Sequence, residues 1–131
     1  MLRFVVLRHE IETDSAHSAR GSHWDLMLED DGQLLTWALP RLPEETDTPI
    51  RCQQLDDHRI AYLDYEGPIS NNRGSVKRWD RGTFQWKQRR PNELSVVLEG
   101  EKLRGTLTLI RNSEAKGTTD WSCVIEPKSQ A

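Results

Sequence analysis

The sequence lacks a hydrophobic run long enough to cross a membrane. No apolar stretch approaches the roughly 20 residues that a membrane-spanning helix needs, and the mean hydropathy is −0.75. The N-terminal residues contain no basic segment followed by an apolar signal region. We therefore expect a cytoplasmic protein that has no membrane partner.

Cysteine is also scarce, because Cys52 and Cys123 are the only two among the 131 residues and no C-x-x-C motif is present. Small secreted domains that depend on disulfides usually carry more cysteines. The two cysteines therefore predict reduced thiols, in agreement with a cytoplasmic location.

A general excess of positive charge is missing as well. The net charge is −3 and the pI is about 5.8, whereas a nucleic-acid-binding domain is usually basic. Basic residues are nevertheless concentrated between positions 73 and 90, where Asp80 is the only acid. This segment predicts either a surface for a nucleic-acid backbone and stacked bases, or a hairpin whose aromatic side chains face the core, which we favour. The basic residues are Arg73, Lys77, Arg78, Arg81, Lys87, Arg89 and Arg90, and the aromatic residues are Trp79, Phe84 and Trp86.

The remaining pattern is that of short strands. No segment has a long helical period and no internal repeat is present, whereas apolar and polar residues alternate in several short runs. Such runs predict an antiparallel β-barrel or sandwich, and the length suits one domain. The expected hairpins join 24–29 to 34–39 around Asp30-Asp31-Gly32, 75–79 to 83–86 around Asp80-Arg81-Gly82, and 93–98 to 103–110 around 99–102. A last strand is expected at 121–125, and residues 40–49 are expected to form a loop.

The most informative strand carries two metal-binding residue types on one face. Side chains alternate between the faces of a strand, so residues 23, 25, 27 and 29 share one side and 24, 26 and 28 the other. The second set suits a core. In the first set, His23 and Asp25 could bind one metal ion or one phosphate, unless that face simply meets solvent. His9 and His58 could converge on the same aspartate.

Seven motifs, in the right order, resemble one family. They are Phe4-Val5-Val6-Leu7-Arg8-His9, His23-Trp24-Asp25-Leu26-Met27-Leu28-Glu29, Leu35-Thr36-Trp37-Ala38-Leu39-Pro40-Arg41, Asp57-His58-Arg59-Ile60-Ala61-Tyr62, Tyr65-Glu66-Gly67, Trp79-Asp80-Arg81-Gly82-Thr83 and Leu98-Glu99-Gly100-Glu101-Lys102-Leu103-Arg104-Gly105. The series is similar to the 3′-phosphoesterase domain of the bacterial DNA ligase D family. The resemblance implies a mainly β fold, a compact antiparallel β-barrel with short helical or loop segments packed outside. We expect residues 1–131 to form a single, stand-alone domain of this kind.

The resemblance also implies a metal site formed by His9, His23 and Asp25. Manganese is the metal that the family implies, and zinc also suits two histidines and a carboxylate. His17 is a rival for the first ligand, because its spacing of six residues from His23 is the usual one in the family. We favour His9, since the end of a strand holds a ligand more firmly than a loop rich in serine and glycine does.

Other residues are implied to bind the phosphate. His58 and Tyr62, four residues apart, share a face in either a strand or a helix, and the family places such a pair beside the metal. An imidazole can act as a general acid, and a phenol can donate a hydrogen bond to phosphate. Arg41 takes the place of a family lysine. Further candidates for substrate binding are Arg51, Arg73 and Arg78.

Met27 is the clearest departure from the family, which usually has arginine at this position. An arginine there would bind phosphate with two parallel hydrogen bonds, and methionine cannot. The departure leaves the metal ligands in place but puts the rate of phosphoryl chemistry in doubt.

Three functions follow from these residues. The first is a monomeric metal-dependent phosphoesterase of DNA repair, which removes a 3′-phosphate or 3′-ribonucleotide from DNA or RNA 3′ ends on a primer–template. A separate ligase or polymerase could be its partner. The second is a catalytically weak or inactive module of the same fold that binds nucleic acid or protein. The third, which the motif series disfavours, is an iron oxygenase with a two-histidine, one-carboxylate site.

Overall fold

The structure is a computed structural model that describes residues 1–11, 21–43, 48–70, 73–112 and 119–127. In this part of the chain, nine strands and one short 3₁₀ helix form. The strands are β1 (Leu2–Glu10), β2 (His23–Asp30), β3 (Gln33–Leu39), β4 (Ile50–Arg59), β5 (Gly67–Pro68), β6 (Ser75–Arg90), β7 (Glu93–Gly100), β8 (Arg104–Arg111) and β9 (Asp120–Pro127), and the 3₁₀ helix is Ile60–Leu63.

Eight of these strands close into an antiparallel barrel. Their order is β1-β2-β3-β4-β9-β8-β7-β6, and β6 pairs with β1 to complete the ring. The two-residue β5 pairs with the start of β6. The predicted mainly β fold, an antiparallel barrel, is therefore confirmed. Within the described residues, no helix is both long and apolar enough to cross a membrane.

The hairpin between β2 and β3 forms where the sequence predicts it. Asp31 and Gly32 both have positive φ angles, 48° and 81°, the backbone conformation that matches the twist of two strands joined by a two-residue turn. The hairpin between β7 and β8 and the last strand, β9, also form as predicted.

The predicted hairpin around Asp80-Arg81-Gly82 is wrong. These three residues lie inside β6, which continues for 16 residues. The Asp80 carboxylate accepts hydrogen bonds from backbone N–H groups of residues 101, 102 and 103 instead of starting a turn. Gly82 allows close strand contact, because a Cβ at that position would lie 2.1 Å from the Glu99 carbonyl oxygen.

The barrel has an apolar interior and a smaller apolar cluster on its outer face. Leu26 and Leu28 of β2 lie in the interior with Trp24 packed against them, which confirms the predicted core face of this strand. Met27 points the other way and packs with Val5, Leu7, Leu34, Leu63 and Val76 under the 3₁₀ helix. The outer face of β1 and β2 is thus covered over part of its length.

The aromatic residues of β6 face the core, as favoured from the sequence. Phe84 is buried in the interior. Trp79 and Trp86 are partly buried and pack against the apolar cluster there. Arg89 lies over the Trp86 ring, 4.4 Å from its centroid, and forms a two-pronged ion pair with Asp30. This arginine therefore serves as a partner of neighbouring side chains.

Candidate metal centre and its groove

Strand register brings two histidines and an aspartate together on the outer face of the barrel. His9 of β1 pairs with His23 of β2, and Leu7 pairs with Asp25, and residues directly opposite one another in an antiparallel pair share a face. One ligand atom from each of His9, His23 and Asp25 lies within 4.8 Å of the others. His23 and Asp25 are buried, with 4% and 2% of their surfaces exposed.

The His23 ring is held so that a lone pair faces the carboxylate. Its Nδ1 lies 2.8 Å from the Gly21 carbonyl oxygen, which can only accept, so Nδ1 carries the proton of the neutral ring. Nε2 then lies 3.0 Å from Asp25 Oδ1, and neither atom has a hydrogen-bond partner within the described residues. Two acceptors at this distance repel, unless a proton or a cation lies between them.

The His9 ring is held in the corresponding way. Its Nε2 donates to the Arg73 carbonyl oxygen across 2.7 Å, and its Nδ1 lies 3.4 Å from Asp25 Oδ2. Histidine ligands of metals are commonly fixed by a hydrogen bond from the second ring nitrogen to a carbonyl or carboxylate. The three residues therefore fit a divalent cation in donor type, orientation and burial.

Asp25 is already ionised in this environment. Burial raises the pKa of its carboxyl, but where the facing ring nitrogens of His23 and His9 carry a proton, their hydrogen bonds and charge lower it further and bring it to about 2. The carboxylate can therefore accept a cation at neutral pH without first losing a proton.

A large groove of about 1270 Å³ extends from this cluster to the 3₁₀ helix. His58, at the end of β4, and Tyr62, in the 3₁₀ helix, line it together with the three predicted metal ligands. The His58 Nδ1 donates to the Asp56 carbonyl oxygen across 2.8 Å, which leaves Nε2 for exchange with a ligand. The His58 and Tyr62 rings meet edge to face with centroids 5.6 Å apart. The groove thus joins the predicted metal and phosphate groups.

Comparison with known proteins shows the family to which the chain belongs. The model of the DNA ligase D 3′-phosphoesterase domain matches residues 15–111. The chain belongs to this family. It is 33% identical to the multifunctional non-homologous end joining protein LigD of Pseudomonas aeruginosa, over 100% of this chain and 16% of that protein.

Mycobacterial relatives give the same result. Identity to the LigD proteins of Mycobacterium bovis and Mycolicibacterium smegmatis is 34% and 36%, over 74% and 72% of this chain and 14% of each relative. The chain therefore spans only 14% to 16% of the length of the curated relatives it matches. The predicted family is confirmed.

The four arginines predicted to bind phosphate or substrate lie in different places. Arg73 lines the groove, and its guanidinium donates to Ser70. Arg51 forms an ion pair with Asp120 beside a second cavity of about 460 Å³, which His23 also lines. Arg78 lies 3.9 Å from Glu66 and lines neither cavity. Arg41 is exposed beyond the end of β3.

The position of Arg41 separates it from His58. Ala38, near the end of β3, pairs with Gln53, whereas Leu34, near its start, pairs with His58. His58 and Arg41 therefore lie toward opposite ends of β3, and Arg41 lines neither of the two cavities. The structure brings His58 and Tyr62 together but does not bring Arg41 to them.

Met27 lines the groove together with the predicted metal ligands. It is 1% exposed and lies on the same face of β2 as Asp25. The position at which the family usually has an arginine is thus filled by an apolar side chain that packs in the outer cluster.

Sequence reasoning missed the two backbone carbonyls that fix the histidines, those of Gly21 and Arg73. Every residue has a carbonyl, so nothing in the pattern marks these two. It also missed Asp56, whose carbonyl holds His58. His17, the rival ligand, lies outside the described residues.

Proposed function

We propose that the chain is a metal-dependent phosphoesterase that removes a 3′-phosphate or a 3′-ribonucleotide from DNA or RNA ends during DNA repair. The observation that carries this proposal is the convergence of His9, His23 and Asp25, with both histidine lone pairs directed at one buried carboxylate. Family membership supports the substrate class. We further propose that residues 1–131 form one monomeric cytoplasmic domain that works with a ligase or polymerase.

The residues divide the chemistry between them. His9, His23 and Asp25 would hold the metal, which would polarise a phosphoryl oxygen and activate a bound water. Three protein ligands would leave room on the metal for water and phosphate. Manganese is our proposal for the metal, and zinc is the alternative that the same donors suit.

His58 and Tyr62 would act on the phosphate itself. The Nδ1–H of His58 is engaged by Asp56, so proton transfer would use Nε2. The Tyr62 phenol would donate a hydrogen bond to a phosphate oxygen. Arg73, which lines the same groove, is the candidate arginine best placed to add positive charge.

One observation favours a second function. Met27 is apolar and buried at the position of the family arginine, so one charged contact to a transition state is missing. A module that binds nucleic-acid ends but turns them over slowly or not at all would retain the barrel and the groove.

Product formation, DNA binding and metal content together separate these functions. Primer–templates that end in a 3′-phosphate or a 3′-ribonucleotide are incubated with the protein, with and without Mn²⁺ or Zn²⁺, and the products are resolved on a gel. Metal-dependent shortening or phosphate release, lost in His23→Ala and retained in the surface control Glu126→Ala, supports the phosphoesterase. DNA binding without any product would instead indicate the binding module. Iron in the purified protein, with turnover of an oxo-acid, would indicate the oxygenase.

A further inference from the structure

We infer that Arg73 and Gly74 are positioning residues for the metal centre, because their backbone fixes the His9 ring in the tautomer whose lone pair faces Asp25. The inference rests on the proposed metal site. It adds to that site a backbone carbonyl, which no side-chain motif could reveal. Its core is the hydrogen bond of 2.7 Å from His9 Nε2 to the Arg73 carbonyl oxygen.

This bond decides which nitrogen of His9 faces Asp25. With the proton on Nε2, the lone pair is on Nδ1, which lies 3.4 Å from Asp25 Oδ2. If the carbonyl moved away, the ring could take the other tautomer or rotate about its χ angles. Either change would direct an N–H or an edge of the ring at the carboxylate in place of a lone pair.

Gly74 is what allows the carbonyl to come so close. It has a φ of +90°, and a Cβ at this position would lie 2.0 Å from the Glu10 carbonyl oxygen and 3.2 Å from the Ile11 Cα. Real Cβ atoms do not approach backbone atoms to 2.0 Å. Any side chain at 74 would therefore push residues 73–74 away from the end of β1, where His9 lies.

Additional bonds hold the two residues in place. The Arg73 guanidinium donates from Nε to the Ser70 carbonyl oxygen and from Nη2 to Ser70 Oγ, at 2.9 and 3.1 Å. The Ile69 N–H donates to the Gly74 carbonyl oxygen across 2.8 Å. Pairing of β6 with β1 continues directly beyond, with Ser75 opposite Glu10. Arg73, predicted to bind substrate, thus has a structural task on the residues that carry the carbonyl.

The test compares Gly74→Ala with Gly32→Ala. Gly32 also has a positive φ, +81°, but nothing lies within 4 Å of a Cβ built there, so both variants suffer the same kind of backbone strain and only one has the clash. The Mn²⁺ dissociation constant is measured by calorimetry. Loss of the group that orients a ligating histidine typically weakens metal affinity by about 10–100-fold. We expect a loss of that size in Gly74→Ala and almost none in Gly32→Ala.

A second measurement needs no metal. Nitrogen-15 NMR of the metal-free protein at mildly alkaline pH reports which ring nitrogen of His9 carries the proton. We expect the Nε2–H form in the wild type and in Gly32→Ala, and a mixture or the Nδ1–H form in Gly74→Ala. Unchanged metal affinity and an unchanged tautomer in a folded Gly74→Ala would overturn the inference.

Arg73→Lys gives a milder variant if Gly74→Ala does not fold. It keeps the charge but loses the two-pronged contact with Ser70, so we expect a shift of the His9 tautomer and weaker Mn²⁺ binding. No change in either would overturn the inference. Failure of the proposed metal site gives a different result, since the wild type itself would then bind no Mn²⁺ while the tautomer measurement would still report on Arg73 and Gly74. Failure of the phosphoesterase activity alone would leave both measurements unchanged.

Discussion

Leu103 donates its backbone N–H to Asp80 Oδ2 across 2.8 Å, and so connects the turn between β7 and β8 to the middle of β6. The other oxygen of Asp80 accepts from the N–H groups of Arg81, Glu101 and Lys102. The carboxylate is 1% exposed, so these four donors replace its hydration. An acid that resembles a turn residue in the sequence is thus the centre of a buried network.

We predict that Asp80→Ala lowers the free energy of unfolding by at least about 3 kcal/mol, because four N–H groups, one buried and three partly buried, lose their acceptor at once. Urea denaturation followed by circular dichroism measures the effect. Glu126→Ala, an exposed acid at the end of β9, serves as the control and should change stability by less than about 0.5 kcal/mol. A loss of under about 1 kcal/mol in Asp80→Ala would show that water can replace the carboxylate.

We predict that His23→Ala abolishes tight binding of a divalent metal, because too few protein ligands remain. Metal content after dialysis gives the stoichiometry, and His58→Ala, outside the ligand cluster, should keep its metal. His9→Ala should behave like His23→Ala. Loss of metal in His17→Ala but not in His9→Ala would show that His17 is the first ligand, as the family spacing suggests.

We predict an acid-dependent contribution of Asp25 to the stability of the metal-free protein. The pKa of Asp25 in the fold is about 2, below its ordinary value of 3.8. The ionised carboxylate therefore stabilises the native state fully at a pH above 3.8, and this contribution is lost as the pH falls to about 2. A shift of this size corresponds to roughly 2 kcal/mol. The difference in unfolding free energy between wild type and Asp25→Asn should therefore shrink between about pH 5 and pH 2. A difference that stays constant over this range would contradict the assigned cause.

We predict that phosphate raises the melting temperature of the wild type and raises it less in His58→Ala, because His58 and Tyr62 line the groove with the predicted metal ligands. Arg41→Ala tests the third group predicted from the sequence. Its position toward the other end of β3 leads us to expect full protection by phosphate in this variant. Equal protection of wild type and His58→Ala would place phosphate outside the groove.

We predict that Met27→Arg increases the rate of Mn²⁺-dependent release of a 3′-phosphate, since removal of one preorganised donor commonly costs about 10²–10³-fold in rate. The same change should lower stability, because Met27 is buried in the outer apolar cluster. Met27→Leu is the matched control, apolar and close in volume, and should leave both rate and stability nearly unchanged. A folded, metal-bound Met27→Arg that is no faster would mean that another cation already fills the role or that the domain is not a phosphoesterase.

Local patterns were enough for much of the fold. The alternation in β2 placed Leu26 and Leu28 in the core and His23 and Asp25 on one face, because a strand has a fixed period of two. Asp31 and Gly32 formed the predicted turn, because their type matches its positive φ angles. These features depend on residues close together in the chain.

The sequence by itself therefore determined the family, the barrel class and the shared face of His23 and Asp25. Only the tertiary structure decided that Asp80 continues a strand, that Arg41 lies away from His58, and that the Arg73 carbonyl orients His9. The physical reason is the same in each case. Each depends on partners that are distant in the chain and that strand pairing around the closed barrel brings into contact. For Asp80 the partner is a turn 21 to 23 residues away, and for His9 it is a carbonyl 64 residues away.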